Sequence, residues 1–319
     1  MKAIEVKTFG GPEVMQVVDK ESYLPSKGEV VIGAKAIGVN PVETYIRAGT
    51  YPVLPELPYT PGGNVAGVIE SCGEAVGDWK KGDRVYSSAA LSGAYAEQVL
   101  CKTDQIFSLP EHLSFAQGAA LGVPAATAWR ALFIRGRAQP GEKVLIHGAS
   151  GSVGQTAIQL AKGLGMEVFG TAGSEKGMAL IEKLGAKPFD HKSKDYAYNL
   201  QEAAGGTGFD LILEMLANQN LETDLTLLAP RGRVIIIGSR GRIEIDPRAT
   251  MGKETEIRGV ALFNATEEEI IETHQGLAGA MAEGILSPSV SRELSLEEAP
   301  FAHQLVMNDG NCGKIVLIP

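Results

Sequence analysis

Cysteine is scarce. Cys72, Cys101 and Cys312 are the only three in 319 residues. Three thiols, odd in number and far apart, exclude a disulfide framework and point to a reducing compartment, here the cytoplasm. They also exclude a four-cysteine zinc site. No apolar run approaches the roughly 18–20 residues needed to cross a bilayer. The opening stretch MKAIEVKTFGGPE has no apolar segment after its lysine and no small-residue cleavage site, so no signal peptide is expected. Basic excess is lacking as well: a net charge of −9 and a pI near 5.2 leave no global footprint for nucleic acid. Internal repeats and low-complexity stretches are also missing. What remains, 44% hydrophobic and 21% charged residues, fits a globular chain. Its length exceeds one ordinary domain, so two are expected.

The first 110 or so residues read as β-rich. Short apolar stretches such as Val30–Ala36 and Val65–Glu70 lie between Gly and Pro clusters. Ala116–Phe133 turns to an alanine-rich helical pattern, interrupted at Pro124. From Glu142 the order becomes strand, glycine-rich turn, helix, strand, helix. Lys143–His147, Glu167–Thr171, Asp210–Glu214 and Arg233–Ile237 read as strands, and Gly177–Leu184 as a helix. Runs without alternation, such as RVIIIG, belong to strands covered on both faces. Strands alternating with helices imply a parallel sheet. Another helix is expected from Glu269 to about Gly284, and a last strand at Lys314–Ile318.

Gly148-Ala-Ser-Gly151-Ser-Val-Gly154 follows a strand and opens a helix. A tight turn, a close backbone approach to a pyrophosphate and close helix–sheet packing all call for glycine there. The helix N-terminus adds unpaired N–H groups and a positive dipole. The spacing is GxxGxxG rather than GxGxxG, so context carries the reading; the alternative is a turn that merely packs. An NAD-selective site has an acid roughly 20 residues on, which holds the ribose 2′-hydroxyl. Here Gly173 and Ser174 stand at that position, with Lys176 just beyond. A small residue followed by a cation suits a 2′-phosphate and favours NADPH. Ser174 reads equally as a helix N-cap, Lys176 as a solvated surface residue, and Glu175 keeps NADH open.

Several segments resemble the zinc-free quinone oxidoreductase branch of the medium-chain dehydrogenase/reductases, and within it the zeta-crystallin-like members. They are Phe9-Gly-Gly-Pro-Glu-Val14, Gly38-Val-Asn-Pro-Val-Glu-Thr-Tyr-Ile-Arg47, Pro58-Tyr-Thr-Pro-Gly62, Lys81-Gly-Asp-Arg-Val85, His147-Gly-Ala-Ser-Gly151, Glu214-Met-Leu-Ala-Asn218 and Ile237-Gly-Ser-Arg-Gly241. The resemblance implies an α/β chain with two domains. A GroES-like β-barrel catalytic domain is built from residues 1–122 and 266–319. A Rossmann-type, doubly wound parallel-sheet domain, residues 123–265, is inserted in it. Lys314–Ile318 is then expected to return to the first domain. Zinc-bearing relatives bring a cysteine and a Gly-His-Glu segment to the catalytic metal. The corresponding stretches here read Gly38-Val39-Asn40 and Gly62-Gly63-Asn64, and the lobe for structural zinc holds only Cys101. His112, His147, His191, His274 and His303 show no ligand spacing, so no metal is expected.

Oxidising an alcohol needs a group that takes its proton and polarises the nascent carbonyl, which is zinc's task in those relatives. An electron-poor acceptor demands less. The expected activity is therefore metal-free transfer of reducing equivalents from NADPH to a quinone or activated carbonyl. Asn40, Tyr45 and Tyr51 are the candidate polar groups over the nicotinamide. The resemblance implies that Tyr45 touches the cofactor, whereas Tyr51 reads equally as the wall of an apolar pocket. It also carries cofactor contacts onto Ser150, Gly151, Ser152 and Val153 for the pyrophosphate, and onto Gly173, Ser174 and Lys176 for the adenine ribose. His191 is implied near the adenosine phosphate, where a surface role is the plainer reading. Asn220 and Ile237-Gly238-Ser239-Arg240 follow, and Val260-Ala261-Leu262 is implied to meet the carboxamide.

Two alternatives stand beside this reading: an enone or alkenal reductase, and a zeta-crystallin-like structural or RNA-binding protein. Arg231, Arg233, Arg240, Arg242, Arg248, Lys253 and Arg258 form a basic stretch, but Glu244, Asp246, Glu254 and Glu256 interrupt it, as on a solvated face. A homodimer or homotetramer is implied, with an edge-strand contact expected at Arg233–Ile245. Replacing Tyr45 with Phe removes one hydrogen-bonding hydroxyl, about 1 kcal/mol, and should weaken NADPH binding roughly fivefold. Unchanged affinity and turnover would take Tyr45 out of the site.

Overall fold

The computed structural model describes residues 1–308 and 310–319. In chain order its strands are β1 (Lys2–Val6), β2 (Met15–Asp19), β3 (Glu29–Gly38), β4 (Asn64–Cys72), β5 (Arg84–Ser87), β6 (Gln98–Lys102), β7 (Ile106–Ser108), β8 (Lys143–Ile146), β9 (Glu167–Ala172), β10 (Lys187–Asp190), β11 (Phe209–Glu214), β12 (Leu228–Ile236), β13 (Glu256–Gly259), β14 (Val290–Ser295) and β15 (Lys314–Ile318). The helices are α1 (Pro41–Arg47), α2 (Phe115–Ala119), α3 (Gly122–Trp129), α4 (Ser152–Gly163), α5 (Glu175–Lys183), α6 (Tyr196–Ala203), α7 (Ala217–Leu227), α8 (Arg248–Met251), α9 (Glu267–Ala282) and α10 (Ala299–Leu305). Among the described residues no helix is long and apolar enough to cross a membrane.

Two compact units divide the chain. The first comprises Met1–Val123 and Ser287–Pro319. Its main sheet runs β14-β15-β3-β4-β5-β7, with β6 also paired to β3. β3 is buried along nearly all of its length, which is why apolar residues fill both of its faces. The last strand closes this unit: β15 lies antiparallel to β3, with Val316 opposite Gly38. Ile4, Ile32, Ile37, Ile69, Tyr95 and Leu317 are fully buried in its core.

The second unit, Pro124–Leu286, holds a parallel sheet in the order β10-β9-β8-β11-β12-β13. The chain enters at β8, steps outward to β10, then returns to β11 on the other side of β8. This is the doubly wound order, and its switch point falls between β8 and β11. Leu145, Ile212 and Val234 are fully buried in its strands. Phe169 sits among them, with ring centroids 5.1 Å from Phe209 and 6.2 Å from Phe189.

Three expectations change. Residues 266–286 were assigned to the first domain, yet α9 lies in the second unit. It packs on the π-helical turn Arg130–Arg135, buries Thr273, His274, Leu277 and Met281, and ties Glu269 to Arg130 at 2.6 Å. Periodicity shows that a helix has an apolar face, but not which domain will cover it. Pro124 does not interrupt its helix, because it falls in the first turn of α3, where no intrahelical donor is required. Arg233–Ile236 is no edge: β12 is hydrogen-bonded to both β11 and β13, and β13 forms the border of the sheet. Phe169→Ala should cost the second unit about 3–5 kcal/mol, measurable as a lowered urea midpoint. A loss under 1 kcal/mol would mean the three rings do not pack as described.

Candidate functional site

The glycine-rich turn leaves the C-terminal end of β8. Gly151 caps α4 in extended conformation without a side-chain hydrogen bond, so the N–H groups of the first turn face outward unclaimed by a cap. Gly154 makes the turn possible. A Cβ there would lie 2.5 Å from the Ala149 Cα and 2.7 Å from the Gly148 carbonyl oxygen. Ser150 is buried, and the Gln155 side chain donates to its carbonyl at 2.5 Å. Ser152 and Val153 are half-buried beside it. These four cradle residues therefore form one feature.

A second group gathers at the end of β9. The Ser174 hydroxyl accepts from the Gly177 N–H at 3.2 Å, which makes it the N-cap of α5. Lys176 is exposed on the first turn of that helix. A Cβ at Gly173 would fall 2.5 Å from His191 Nε2 and 2.9 Å from Lys192 Cε. His191 and Lys192, which directly follow β10, thus lie against the glycine that stands where an acid would select NAD. Lys192 was missed in the sequence, although it directly follows His191; only the parallel pairing of β9 with β10 brings it there.

The remaining candidates line the same edge. Ile237 N–H donates to the Glu214 carbonyl at 2.8 Å, and Arg240 N–H donates to Asn218 Oδ1 at 2.7 Å. Gly238 accepts from the Ala217 N–H at 2.9 Å, and Ser239 is exposed next to it. Val260 N–H donates to the Ile236 carbonyl at 3.1 Å, and the Ala261 carbonyl accepts from Arg130 at 2.6 Å. Leu262 follows at the start of a short turn. Asn220 turns inward, donating to Glu214 Oε1 at 3.2 Å. Every candidate of this unit accordingly sits beyond the carboxyl ends of parallel strands, where open α/β sheets bind ligands.

His147, which shows no ligand spacing in the sequence, has close partners in the fold. Its Nε2 lies 2.9 Å from Asp224 Oδ1 and 3.6 Å from Glu214 Oε2, and all three side chains are buried. In the basic stretch Arg231, Arg240, Arg242 and Arg248 are exposed, as expected of a solvated face, and Arg233 is the departure. Arg233 is buried and grips Glu142 with two hydrogen bonds of 2.7 Å, while Arg231 pairs with Glu254 and Arg258 with Glu256.

In the first unit Asn40 begins α1 and is 2% exposed. Its Nδ2 donates to Glu43 Oε1 at 2.9 Å, and its Oδ1 accepts from Lys314 Nζ. Glu43 Oε2 accepts from Tyr95 at 2.7 Å; Tyr95 meets His303 Nε2 at 3.0 Å; His303 Nδ1 meets Arg47 at 3.2 Å. Donors thus point inward from two cationic ends towards one carboxylate. Burial, aided by Arg47, pushes His303 down to about 3, so its ring is neutral. Burial also lowers Lys314 to about 7 against the opposing pull of Glu43. The Asn40 amide is engaged at both ends, so it holds α1 in place instead of facing outward. Tyr45, half-buried on α1, and Tyr51 lie on either side of a turn in which the Thr50 N–H donates to the Tyr45 carbonyl at 3.0 Å. Burial raises the Tyr51 phenol.

A sheet that the last strand of the chain joins, together with a doubly wound unit whose glycine-rich turn opens a helix beyond β8, is the architecture of the dinucleotide-dependent oxidoreductases of the medium-chain class. Residues 26–111 match the alcohol dehydrogenase GroES-like domain, and residues 152–276 match the zinc-binding dehydrogenase domain. The rat quinone oxidoreductase is 49% identical over 100% of this chain and 98% of its own length. The human quinone oxidoreductase is 46% identical over the same shares. The crystal structure of the Escherichia coli quinone oxidoreductase complexed with NADPH superposes with a TM-score of 0.90 at 30% identity, covering 100% of both chains. The chain belongs to the quinone oxidoreductase family of medium-chain dehydrogenase/reductases.

The metal-ligand positions implied by the resemblance lie in the first unit, outside the matched residues 152–276, and their side chains do not fit zinc. Asn40 offers only an amide, already bonded to Lys314, and Gly63 has no side chain. Asn64 is occupied too: its Oδ1 accepts from the Val123 N–H at 3.1 Å, and its Nδ2 donates to the Ala119 carbonyl at 3.4 Å. Neither thiolate nor imidazole is offered there. Gly154→Ala overpacks the cradle by backbone contact and should cost about 1–3 kcal/mol. Titration with NADPH should show weakened binding, and full affinity in that variant would mean the turn is not the cradle.

Proposed function

We propose that this chain is an NADPH-dependent quinone reductase, transferring reducing equivalents to a quinone or activated carbonyl without a metal, in the cytoplasm. The observation that carries the reading is the edge of the second unit. An uncapped helix N-terminus follows β8, and at the end of β9 a glycine replaces the acid, with Lys192 beside it. The rat and human relatives are named quinone oxidoreductases, and the E. coli relative was solved with NADPH, which supports the same assignment.

The roles follow from chemistry. The N–H groups at Ser152 and Val153 would hold the diphosphate, with Ser150 and Gly151, whose own N–H donates to the Gly148 carbonyl at 3.0 Å, shaping the turn beneath it. Gly173 leaves room at the adenine ribose, and Lys192 with Lys176 would set positive charge against a 2′-phosphate. His191 would lie over the adenosine. Ile237–Arg240 and Val260–Leu262 would line the nicotinamide end, with Asn220 supporting the floor through Glu214. Reduced nicotinamide supplies the hydride when bound. Tyr45 and Tyr51 would wall the acceptor side, and a phenol there can donate a hydrogen bond to a quinone oxygen. A quinone ring delocalises the incoming charge, so the task left to the protein is to orient the partners and exclude water. For a homo-oligomer, the border strand β13 is the edge open to pairing with a second copy.

Steady-state assays across ortho-quinones, para-quinones and alkenals, each with NADPH and with NADH, test this reading. Turnover with quinones and NADPH is expected. Lys192→Ala should raise the KM for NADPH at least about tenfold, the value of one charged contact, and leave NADH unaffected. Preference for NADH, or turnover with alkenals alone, would overturn the assignment.

A further inference from the structure

The buried triad of the second unit has a peculiarity of its own. Glu214 Oε2 and Asp224 Oδ2 are buried side-chain oxygens without a hydrogen-bond partner. The two carboxyl groups nevertheless lie side by side next to His147, one ligand atom from each of the three falling within 4.8 Å of the others. Two ionised carboxylates are acceptors only, and neither can satisfy the other. One proton placed between them turns one carboxyl into a donor to the other.

The triad also joins the elements of the proposed cofactor edge. His147 immediately precedes the glycine-rich turn. Its Nδ1 meets Thr171 Oγ1 at 3.2 Å, and the same oxygen accepts from the Gly148 N–H at 3.3 Å. Glu214 Oε1 accepts from the Leu216 N–H and from Asn220. Asp224 belongs to α7. The ends of β8, β9 and β11 are thereby braced on one buried polar group.

We propose that His147, Glu214 and Asp224 are positioning residues that hold a shared proton under the dinucleotide turn, and that loss of this proton slackens the turn and weakens NADPH binding. This rests on the cofactor reading above. Burial pushes Glu214 up to about 7, with Asp224 adding to the rise and His147 opposing it. His147 is disfavoured as a cation by burial, but the Asp224 carboxylate outweighs this and raises it. Tyr196 of α6 is the other titratable group facing the carboxyls, and among the described residues no lysine or arginine pairs with either. Both shifts have the same sign. Each group binds its proton more tightly folded than unfolded, so the stability it contributes is present at low pH and is lost as pH rises through neutrality. With the proton gone, two buried negative charges would face each other between β11 and α7 and push them apart. The 2.9 Å between His147 Nε2 and Asp224 Oδ1 is the length of a hydrogen bond.

The experiment compares the full-length protein with Glu214→Gln, whose amide donates to Asp224 at every pH while keeping the Oε1 acceptor. NADPH affinity by fluorescence titration should fall about fivefold in the wild type between about pH 6.5 and 8.5, the low end of site-to-site couplings, and stay flat in the variant. Melting of the cofactor-free protein should lose stability over that range more steeply in the wild type than in Glu214→Gln. Taking this difference cancels Lys314, whose lowered value acts in the opposite direction. Asp224→Asn serves as the second variant, with the same flattening expected. Parallel melting profiles would overturn the shared proton, and so would a stoichiometric divalent metal in the purified protein. Parallel affinity profiles with divergent melting would overturn the positioning role. Failure to bind NADPH at any pH would sink the cofactor reading, and the melting difference would still decide the proton.

Discussion

A polar or ionised side chain withdrawn from water must find a partner or change its protonation state, and each unit of this chain is arranged around that requirement. In the first unit Glu43 is the focus. Donors from Asn40 and Tyr95 converge on its carboxylate, and behind them stand Lys314 and Arg47. The chain of bonds ties α1 to the last strand and to α10, which carries His303. The backbone of α1, and with it Tyr45, is therefore held by groups that would each be costly if left alone. In the second unit the corresponding focus is the pair of carboxyls at Glu214 and Asp224.

The cofactor edge of the second unit illustrates a different use of the same physics. Parallel strands end together, so their following loops collect along one border. There the backbone itself supplies the polar groups. Gly154 permits the turn because nothing larger fits against Ala149, and Gly173 leaves space beside His191 and Lys192. Side chains near this border, such as Ser174, Asn218 and Asn220, bond chiefly to the protein and fix the loops. The shape of the border is thus set from behind by bonds within the protein, and the first turn of α4 is left without a side-chain cap.

Where zinc-bearing relatives gather soft ligands, this chain places Asn40, Gly63 and Asn64, and the amide of Asn40 is bonded to a buried lysine. A site so filled is stabilised by hydrogen bonds internal to the domain. It leaves the reaction without a strong Lewis acid, which matches an acceptor that can carry negative charge unaided. Membership of the quinone oxidoreductase family and this local chemistry therefore agree.

Local patterns made much of this legible in the sequence. The alternation of apolar runs and helical periods from Lys143 to Ile236 marked the parallel sheet, and the glycines at 148, 151 and 154 marked the tight turn between β8 and α4, because both depend on residues close together in the chain. The missing cysteines and histidines at the metal positions were equally plain, since an absent ligand needs no tertiary context. Other features were decided only by the fold. α9 went to the second unit because Arg130 and the π-helical turn cover it. Lys192 reached Gly173 across a strand pair. His147 met Asp224 from 77 residues away and Asn40 met Lys314 from 274. Contacts of that separation are set by packing as a whole, since the side chains that satisfy a buried charge are chosen by which strand ends come to lie side by side.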